Sequence, residues 1–552
     1  MRSAMFLLCI AVISSAFPAK RDDSAVDKIF RAYDKPASPG CSLGVIRDGS
    51  FVYRRGYGEG SLELAVPLTS ESVFYMGSVS KQFTAASIVI LEHRGLLSLD
   101  DDVHKYIPEL PDYGHPITLR EMLHHTSGFR DYLGLLTLSG RDVADVYTFP
   151  ELLDLVTRQK GLNFTPGDKY SYSNTNYLLL AEVVHRVSKE PLSEFAQKNI
   201  FQPLHMTHTR FFDERTEVVP GRVAAYEPGP KGDFLVDWST NFDKVGDGGL
   251  MSSVDDLLRW DQNFYDDKLA DGSVMKELQV RGRLNSGKEI DYALGLQISD
   301  YRGLPTVEHG GNLFGYNTEL LRFPKQRFTV ICLCNVASAN AEGLAHRVAD
   351  LYLASDFTSQ SGPPVATGVA ATRSAFDPAP YAGSYEDASH DGVRTFVARN
   401  GRLGLQQGTS AIPMIPVSLG RFTLSQNSPD DVNVAFEARG TKMRAIFKEA
   451  GEEELVLTRV DTPRLSAEDL LQYAGNYTST ELHTEYRFTV EQMQLVLHNG
   501  WSPPLPLSPL ARDEFNDEDS LTLVFTRDPG GKISGFEVFK QRAKGIIFTR
   551  RS

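Results

Sequence analysis

The stretch YMGSVSKQFTA, Tyr75 to Ala85, carries Ser78 and Lys81 three residues apart at the start of a helical pattern that runs to about Arg94. Side chains three apart in a helix share a face, so the amine falls within reach of the hydroxyl. A serine hydroxyl is a poor nucleophile at neutral pH until a base takes its proton, and a lysine serves once desolvation lowers its own pKa. A helix N-terminus disfavours a second positive charge and favours a developing alkoxide. The following FTAASIVIL is apolar nearly all round, as expected of a helix inside its domain, where such desolvation occurs. A second Ser-x-x-Lys, Ser273 to Lys276 in DGSVMKELQ, has polar surroundings and reads as an exposed helix start.

Two further stretches supply partners. YSYSNTNY places Tyr172 and Asn174 where a helical run opens after the Pro166-Gly167 turn. VEHGGNLFGY delivers His309 from a strand-like run into Gly310, Gly311 and Asn312. Glycines let a substrate backbone lie against the strand, and N–H groups there can hold an oxyanion. Other features are bland. LHHTSGF, His124 to Phe129, reads as a turn after a helix, with no chemistry assigned to Ser127. The glycines of GYGEGS open no helix, which defeats a nucleotide reading. Asn163 and Asn476 fit the glycosylation pattern, which matters only in a eukaryotic secretory pathway.

The elements that must position these residues begin with a hairpin, CSLGVIRDGSFVYRRG, turning at Asp48-Gly49. Helices are predicted at Leu119 to His124, Phe149 to Lys160 and Asn174 to Lys189, and SSVDDLLRW carries a capping box from Ser253 to Asp256. Strands return late as YALGLQI, TVEHGG, NTELLRF and FTVICLCN. One early hairpin, a helical middle and a late strand cluster predict an α/β unit whose antiparallel sheet is completed by its C-terminal strands. The segment from Ala354 to Phe376 is rich in Ser, Pro, Gly and Ala and reads as a linker. Beyond it short alternating strands take over, and they are duplicated. PYAGSY (Tyr381, Gly383, Tyr385) returns as QYAGNY (Tyr473, Gly475, Tyr477), and the same register pairs Phe396 with Phe488, Leu403 with Leu495 and Leu405 with Leu497. Each copy is longer than a solenoid repeat, so two small antiparallel barrels are expected.

The 552 residues imply several domains, and their formal net charge of -14 argues against nucleic acid. MRSAMFLLCIAVISSAFPAK has the layout of a secretory signal ending at Ala16, and no later segment reads as transmembrane, so no stable membrane insertion is expected once the signal is removed. Cys41, Cys332 and Cys334 remain after that signal; an odd, sparse set is no disulfide scaffold, Cys332 and Cys334 share a strand face and should not bridge each other, and all three read as small core residues. The C-x-C pair lacks the further ligands of a zinc site.

Ser-x-x-Lys, then Tyr-x-Asn, then His-Gly-Gly in this order resembles the penicillin-recognising serine hydrolases, in their class C β-lactamase and D-stereospecific peptidase branch, over about residues 25 to 355. Bacterial D-aminopeptidases of this group carry two C-terminal lipocalin-like β-barrel domains, which extends the likeness along the chain. The residues give a signal at 1–16, a linker at 356–375 and barrels at 376–460 and 465–552, and the resemblance makes 25–355 a β-lactamase-like hydrolase domain. It implies that Ser78 is acylated, that Lys81 and Tyr172 share its proton, that Asn174 orients Lys81 and meets the acyl side of the substrate, and that the N–H groups of Ser78 and Asn312 hold the oxyanion beside Gly311. No cofactor or metal is implied. The expected activity is an exported, periplasmic or secreted serine hydrolase acting on small peptides, amides or esters, closest to a D-aminopeptidase. A carboxylesterase or β-lactamase, and a noncatalytic binder of peptidoglycan fragments, are the alternatives, and the oligomeric state stays open. Where the wider superfamily usually has a charged lysine this chain has His309. An ordinary imidazole, charged in about a quarter of molecules at pH 7, would bind a carboxylate weakly and increasingly as pH falls toward 6.

Overall fold

The computed structural model describes residues 23–358 apart from 144, 238–242 and 271, and residues 377–551 apart from 388–392, 400, 408–409, 425–432, 441, 449–453, 501–502, 518–520 and 541. The predicted signal and most of the predicted linker lie outside the described residues. The elements that build the site are, in chain order, α1 (Asp23–Phe30), β1 (Cys41–Arg47), β2 (Ser50–Tyr57), α2 (Lys81–His93), α3 (Asn174–Ser188), α4 (Val254–Asp266), β3 (Gln297–Tyr301), β4 (Leu304–Leu313), β5 (Tyr316–Phe323), β6 (Phe328–Cys334) and α5 (Ala341–Tyr352).

The strands form one antiparallel sheet in the order β3-β4-β5-β6-β1-β2, so the early hairpin is added to the late strands through the β1–β6 pairing. Its turn has Asp48 and Gly49 both at positive φ, 52° and 75°, as a primed two-residue turn requires. Alternation in β6 sorts the two sides of the sheet. Phe328, Val330, Cys332 and Cys334 join Val26, Phe30 and Val348 in the layer under α1 and α5, while Ile331 and Leu333 join the helical core around α2. With both faces covered, β6 is buried along its whole length.

Three local expectations are corrected. The strand expected from Tyr292 starts at Gln297, because Gly295 turns with φ 72°, and a β-carbon there would stand 2.7 Å from the carbonyl carbon of Lys81. The Ser253 box is half built: Ser253 Oγ accepts from Asp256 N, but the Asp256 carboxylate is taken by His208 N and Thr209 Oγ1. Cys41 and Cys334 form a disulfide, leaving Cys332 as a buried thiol. The physical reason lies in the topology. Cys41 at the start of β1 faces Cys334 at the end of β6 across the sheet, a pairing 293 residues apart in sequence that no local spacing announces.

The duplicated C-terminal region repeats its geometry. Tyr385 Oη donates to Tyr381 O at 3.0 Å, and Tyr477 Oη donates to Tyr473 O at 2.9 Å. Gly383 faces Phe396 as Gly475 faces Phe488, and Phe396 faces Leu405 as Phe488 faces Leu497. The second copy is a closed eight-stranded barrel. The first is a nine-stranded sheet whose end strands, Ser410–Pro413 and Ile415–Ser418, are parted only by Met414, so it curls nearly closed. The corresponding strand of the second copy, Leu505–Ala511, runs as one strand paired on both sides, with a register shift between Pro509 and Ala511. Among the described residues no helix is long and apolar enough to cross a membrane.

Candidate active site

Ser78 does not sit in the first turn of α2 itself but in a 3-10 turn, Gly77–Ser80, that leads into it. Gly77 (φ 53°) lets this turn press on β4: a β-carbon there would stand 2.9 Å from Asn312 N. The opposing Gly311 is equally constrained, since a β-carbon on it would reach 2.1 Å from Met76 O. Thr318 Oγ1 donates to the same Met76 carbonyl at 2.9 Å, and Ser80 Oγ donates to Gly77 O at 2.6 Å. The glycines therefore bring the nucleophile's turn and the strand backbone at Asn312 together. Within the turn Gly77, Val79 and Ser80 are buried, while Ser78 is partly open to a cavity of about 450 Å³.

Lys81 is fully buried, and its Nζ lies 3.1 Å from Ser78 Oγ. It also donates to Asn174 Oδ1 at 3.0 Å and to the Asp247 carbonyl at 2.7 Å. Burial is the main cause that lowers its pKa to about 7; the Asp247 carboxylate opposes the shift, and Lys244 and Arg542 add to it. A neutral amine has two N–H groups and one lone pair. With Asn174 and Asp247 taking the two hydrogens, the lone pair is left for the hydroxyl of Ser78.

Tyr172 reaches the site from the segment before α3, lines the same cavity as Ser78, and sets its ring centroid 4.8 Å from Lys81 Nζ. Burial raises its pKa above the ordinary phenol value, partly offset by Ser78 and Arg542, so it holds its proton at neutral pH. Asn174, the first residue of α3, is oriented by Asp131, whose Oδ2 accepts from both the Asn174 backbone N (2.8 Å) and Nδ2 (2.9 Å). This leaves its Oδ1 aimed at Lys81. The loop that supplies the Asp247 carbonyl is pinned by Lys244, which holds both Asp247 oxygens at 2.8 Å, and by Tyr132 Oη.

His309 lies in the cavity wall, but in a neutral form. Its Nδ1 donates to Gly310 O at 2.6 Å, so Nε2 accepts from Tyr292 Oη at 3.0 Å. Burial, then the charge of Lys81, lowers its pKa to about 3. The expected charging of His309 as pH falls toward 6 is thus overturned: the ring is enclosed, and the charge of Lys81 disfavours the imidazolium.

The structure gathers Ser78, Tyr172, Asn174, His309 and Asn312 around one cavity, with Lys81 and Gly311 directly behind them. The other Ser-x-x-Lys is apart from it, with Ser273 at the N-cap of a five-residue helix and Lys276 exposed. Ser127 Oγ donates to Asn176 Oδ1 at 2.6 Å, which ties its turn to α3. The motifs missed Asp131, Lys244, Asp247, Tyr292 and Arg542, which stand singly in turns or come from a distant domain. The KVGDGG glycines around Lys244 and Asp247 were the one local signal.

A family model described as Beta-lactamase matches residues 26–354. The chain belongs to the beta-lactamase family. It is 31% identical over 435 residues to penicillin-binding protein 4* of Bacillus subtilis, covering 74% of this chain and 93% of that one. It is 26% identical over 532 residues to a D-aminopeptidase of Gluconobacter oxydans, covering 93% and 96%. Among solved structures, the octameric penicillin-binding protein homologue from Pyrococcus abyssi shares the fold at a TM-score of 0.56 and 24% identity, over 79% of this chain and 99% of that one. The family match and relatives named as D-aminopeptidases make this chain a serine hydrolase.

Proposed function

We propose that the chain is an exported hydrolase that removes an N-terminal D-residue from small peptides and amides through an acyl-enzyme on Ser78. The observation that carries the chemistry is the buried Lys81 amine, 3.1 Å from Ser78 Oγ and with its two hydrogens committed elsewhere. Neutral Lys81 takes the hydroxyl proton as Ser78 attacks the carbonyl carbon. The N–H groups of Ser78 and Asn312 receive the oxyanion. Tyr172, which keeps its proton, passes a proton to the leaving amine and is refilled from Lys81; water then releases the acyl group by the reverse path. The D-aminopeptidase preference is supported by an alignment that runs through both barrels, and export by the Cys41–Cys334 disulfide, which suits an oxidising compartment.

A panel of D- and L-aminoacyl p-nitroanilides, their N-acetylated forms and short p-nitrophenyl esters tests the substrate class. Free D-aminoacyl anilides are expected to turn over fastest. Activity confined to esters would replace the peptidase reading by an esterase one. Ser78→Ala is expected to abolish turnover and phosphonate labelling while Ser273→Ala is silent; labelling that survives Ser78→Ala refutes the mechanism. Mass analysis of the exported protein is expected to find Phe17 as the first residue.

A further inference from the structure

A groove of about 360 Å³ continues the active-site cavity past Asn174 and Asn312. Its floor is apolar, with Leu133, Val143 and Leu313. Its outer wall is supplied by Lys540 and Arg542, from the hairpin between the last two strands of the second barrel, Ile533–Lys540 and Ala543–Arg550. The hairpin is held there by its main chain. The Arg542 carbonyl accepts from Asp131 N at 2.9 Å and from Asn163 Nδ2 at 2.8 Å, and Lys544 N donates to Asn163 Oδ1 at 3.0 Å. The guanidinium is thereby carried over the Tyr172 ring, 4.9 Å from its centroid. Among the described residues, Asp131 is the one acid lining this groove, and its oxygens are occupied by Asn174 and Leu133. Two cations thus meet an apolar trough whose single carboxylate is already spent.

We propose that Lys540 and Arg542 form an anion subsite, through which the enzyme prefers substrates that carry a carboxylate several bonds from the scissile carbonyl. This rests on the proposed role of Ser78, and it separates two positions: beside the scissile bond the neutral His309 offers no charge, while farther along the groove the barrel offers two. A planar guanidinium accepts a carboxylate through paired hydrogen bonds, and the apolar floor suits the methylenes that lead to it.

The test has a kinetic and an equilibrium arm. For wild type, Arg542→Gln/Lys540→Gln and Arg542→Lys, kcat/KM is measured for matched pairs in which a neutral amide replaces a remote carboxylate. One pair has D-glutamyl and D-glutaminyl p-nitroanilides, the other glutaryl and glutaramoyl p-nitrophenyl esters. In parallel, calorimetry measures the binding of N-acetyl-D-glutamate and N-acetyl-D-glutamine to Ser78→Ala protein, with and without the double substitution. The expected result is an acid preference of about tenfold, the worth of two partly screened charge contacts, that falls with added salt, disappears in the double variant and largely survives Arg542→Lys. A ratio near one in wild type, or one unchanged by the double substitution, overturns the proposal. Failure of the hydrolase reading appears differently, as absent turnover of every pair member, and the binding arm then decides the subsite alone.

Discussion

The two C-terminal units have the same strand skeleton and opposite relations to the rest of the molecule. Each closes its first strand with a tyrosine hydroxyl on a carbonyl four residues earlier, and each opposes a glycine to a core phenylalanine. Yet the first unit buries its aromatic residues in a cluster of its own, whereas those of the second belong to one continuous core with the catalytic helices. The difference lies in the turns. At the turn where the second copy has Glu481, buried against Arg130 at 2.6 Å, the same register in the first copy has Ser389. The last hairpin reads FKQRAKG in the second copy and FKEAGEEEL in the first, basic where it meets the active site and acidic in its counterpart. Strands specify the barrel, and turns decide what it does.

The largest effect that separates the copies is expected from deletion. Removing residues 461–552 should eliminate phosphonate labelling of Ser78, because it strips the cover from the catalytic core and takes away the Glu481 and Gly545 partners of Arg130. Replacing residues 377–460 by a short Gly-Ser linker should leave labelling intact. Equal loss from both deletions would show that the first unit supports the site as much as the second.

Next in size is Glu481→Ala. Arg130 and Glu481 are only 4% and 2% exposed, and removing one partner of such a pair costs about 3–5 kcal/mol. Denaturant midpoints followed by loss of labelling should fall accordingly. A double Arg130→Met/Glu481→Leu protein should recover most of the loss if the cost is an unpaired charge.

Asp131 links the barrel to the chemistry, since its N–H bonds the Arg542 carbonyl and its carboxylate holds Asn174. Asp131→Ala is expected to lower kcat about 10- to 100-fold, the usual cost of losing a group that orients a functional side chain, with a smaller change in KM. An unchanged kcat would reduce the barrel's contact to a structural one.

Smaller effects lie in the pH profiles. With Lys81 near 7, acylation should rise with pH and level off above neutrality as the amine loses its proton. Arg542→Gln removes a cation that holds this pKa down, so the rising limb should move to higher pH, while Glu454→Gln in the acidic hairpin, where Glu454 pairs with Lys448, should not move it. The acid-to-amide rate ratio of wild type should show no His309 inflection between pH 5 and 8, because that ring stays neutral throughout. An inflection near 6.5 that vanishes in His309→Gln would restore its ordinary titration.

The catalytic motifs were legible because each is short and local: two residues separate Ser78 from Lys81, one separates Tyr172 from Asn174, and the glycines after His309 announce a close backbone approach. The sheet was legible for a similar reason, since alternation in FTVICLCN and the Asp48-Gly49 turn are local signals. What escaped depends on long-range placement. The Cys41–Cys334 bond follows from strand order, and the charge state of His309 follows from its enclosure and its bond to Tyr292, neither of which composition reveals. Arg542 escaped because single-copy reading hides it; only comparing the two hairpins makes its charge stand out.

The contact of the last hairpin with the loop before Tyr132 also has a temporal side. Arg130 and Gly545 are joined across 415 residues of chain, so the wall of the groove cannot exist while that chain is still being made. A polypeptide that emerges from its N-terminus presents Ser78, Lys81 and Tyr172 long before Lys540 and Arg542, and closing so distant a contact is slow by its nature. The order of synthesis thus works as a delay: the nucleophile is made early, and the finished mouth of the site must wait for almost the whole of the given chain to be synthesised.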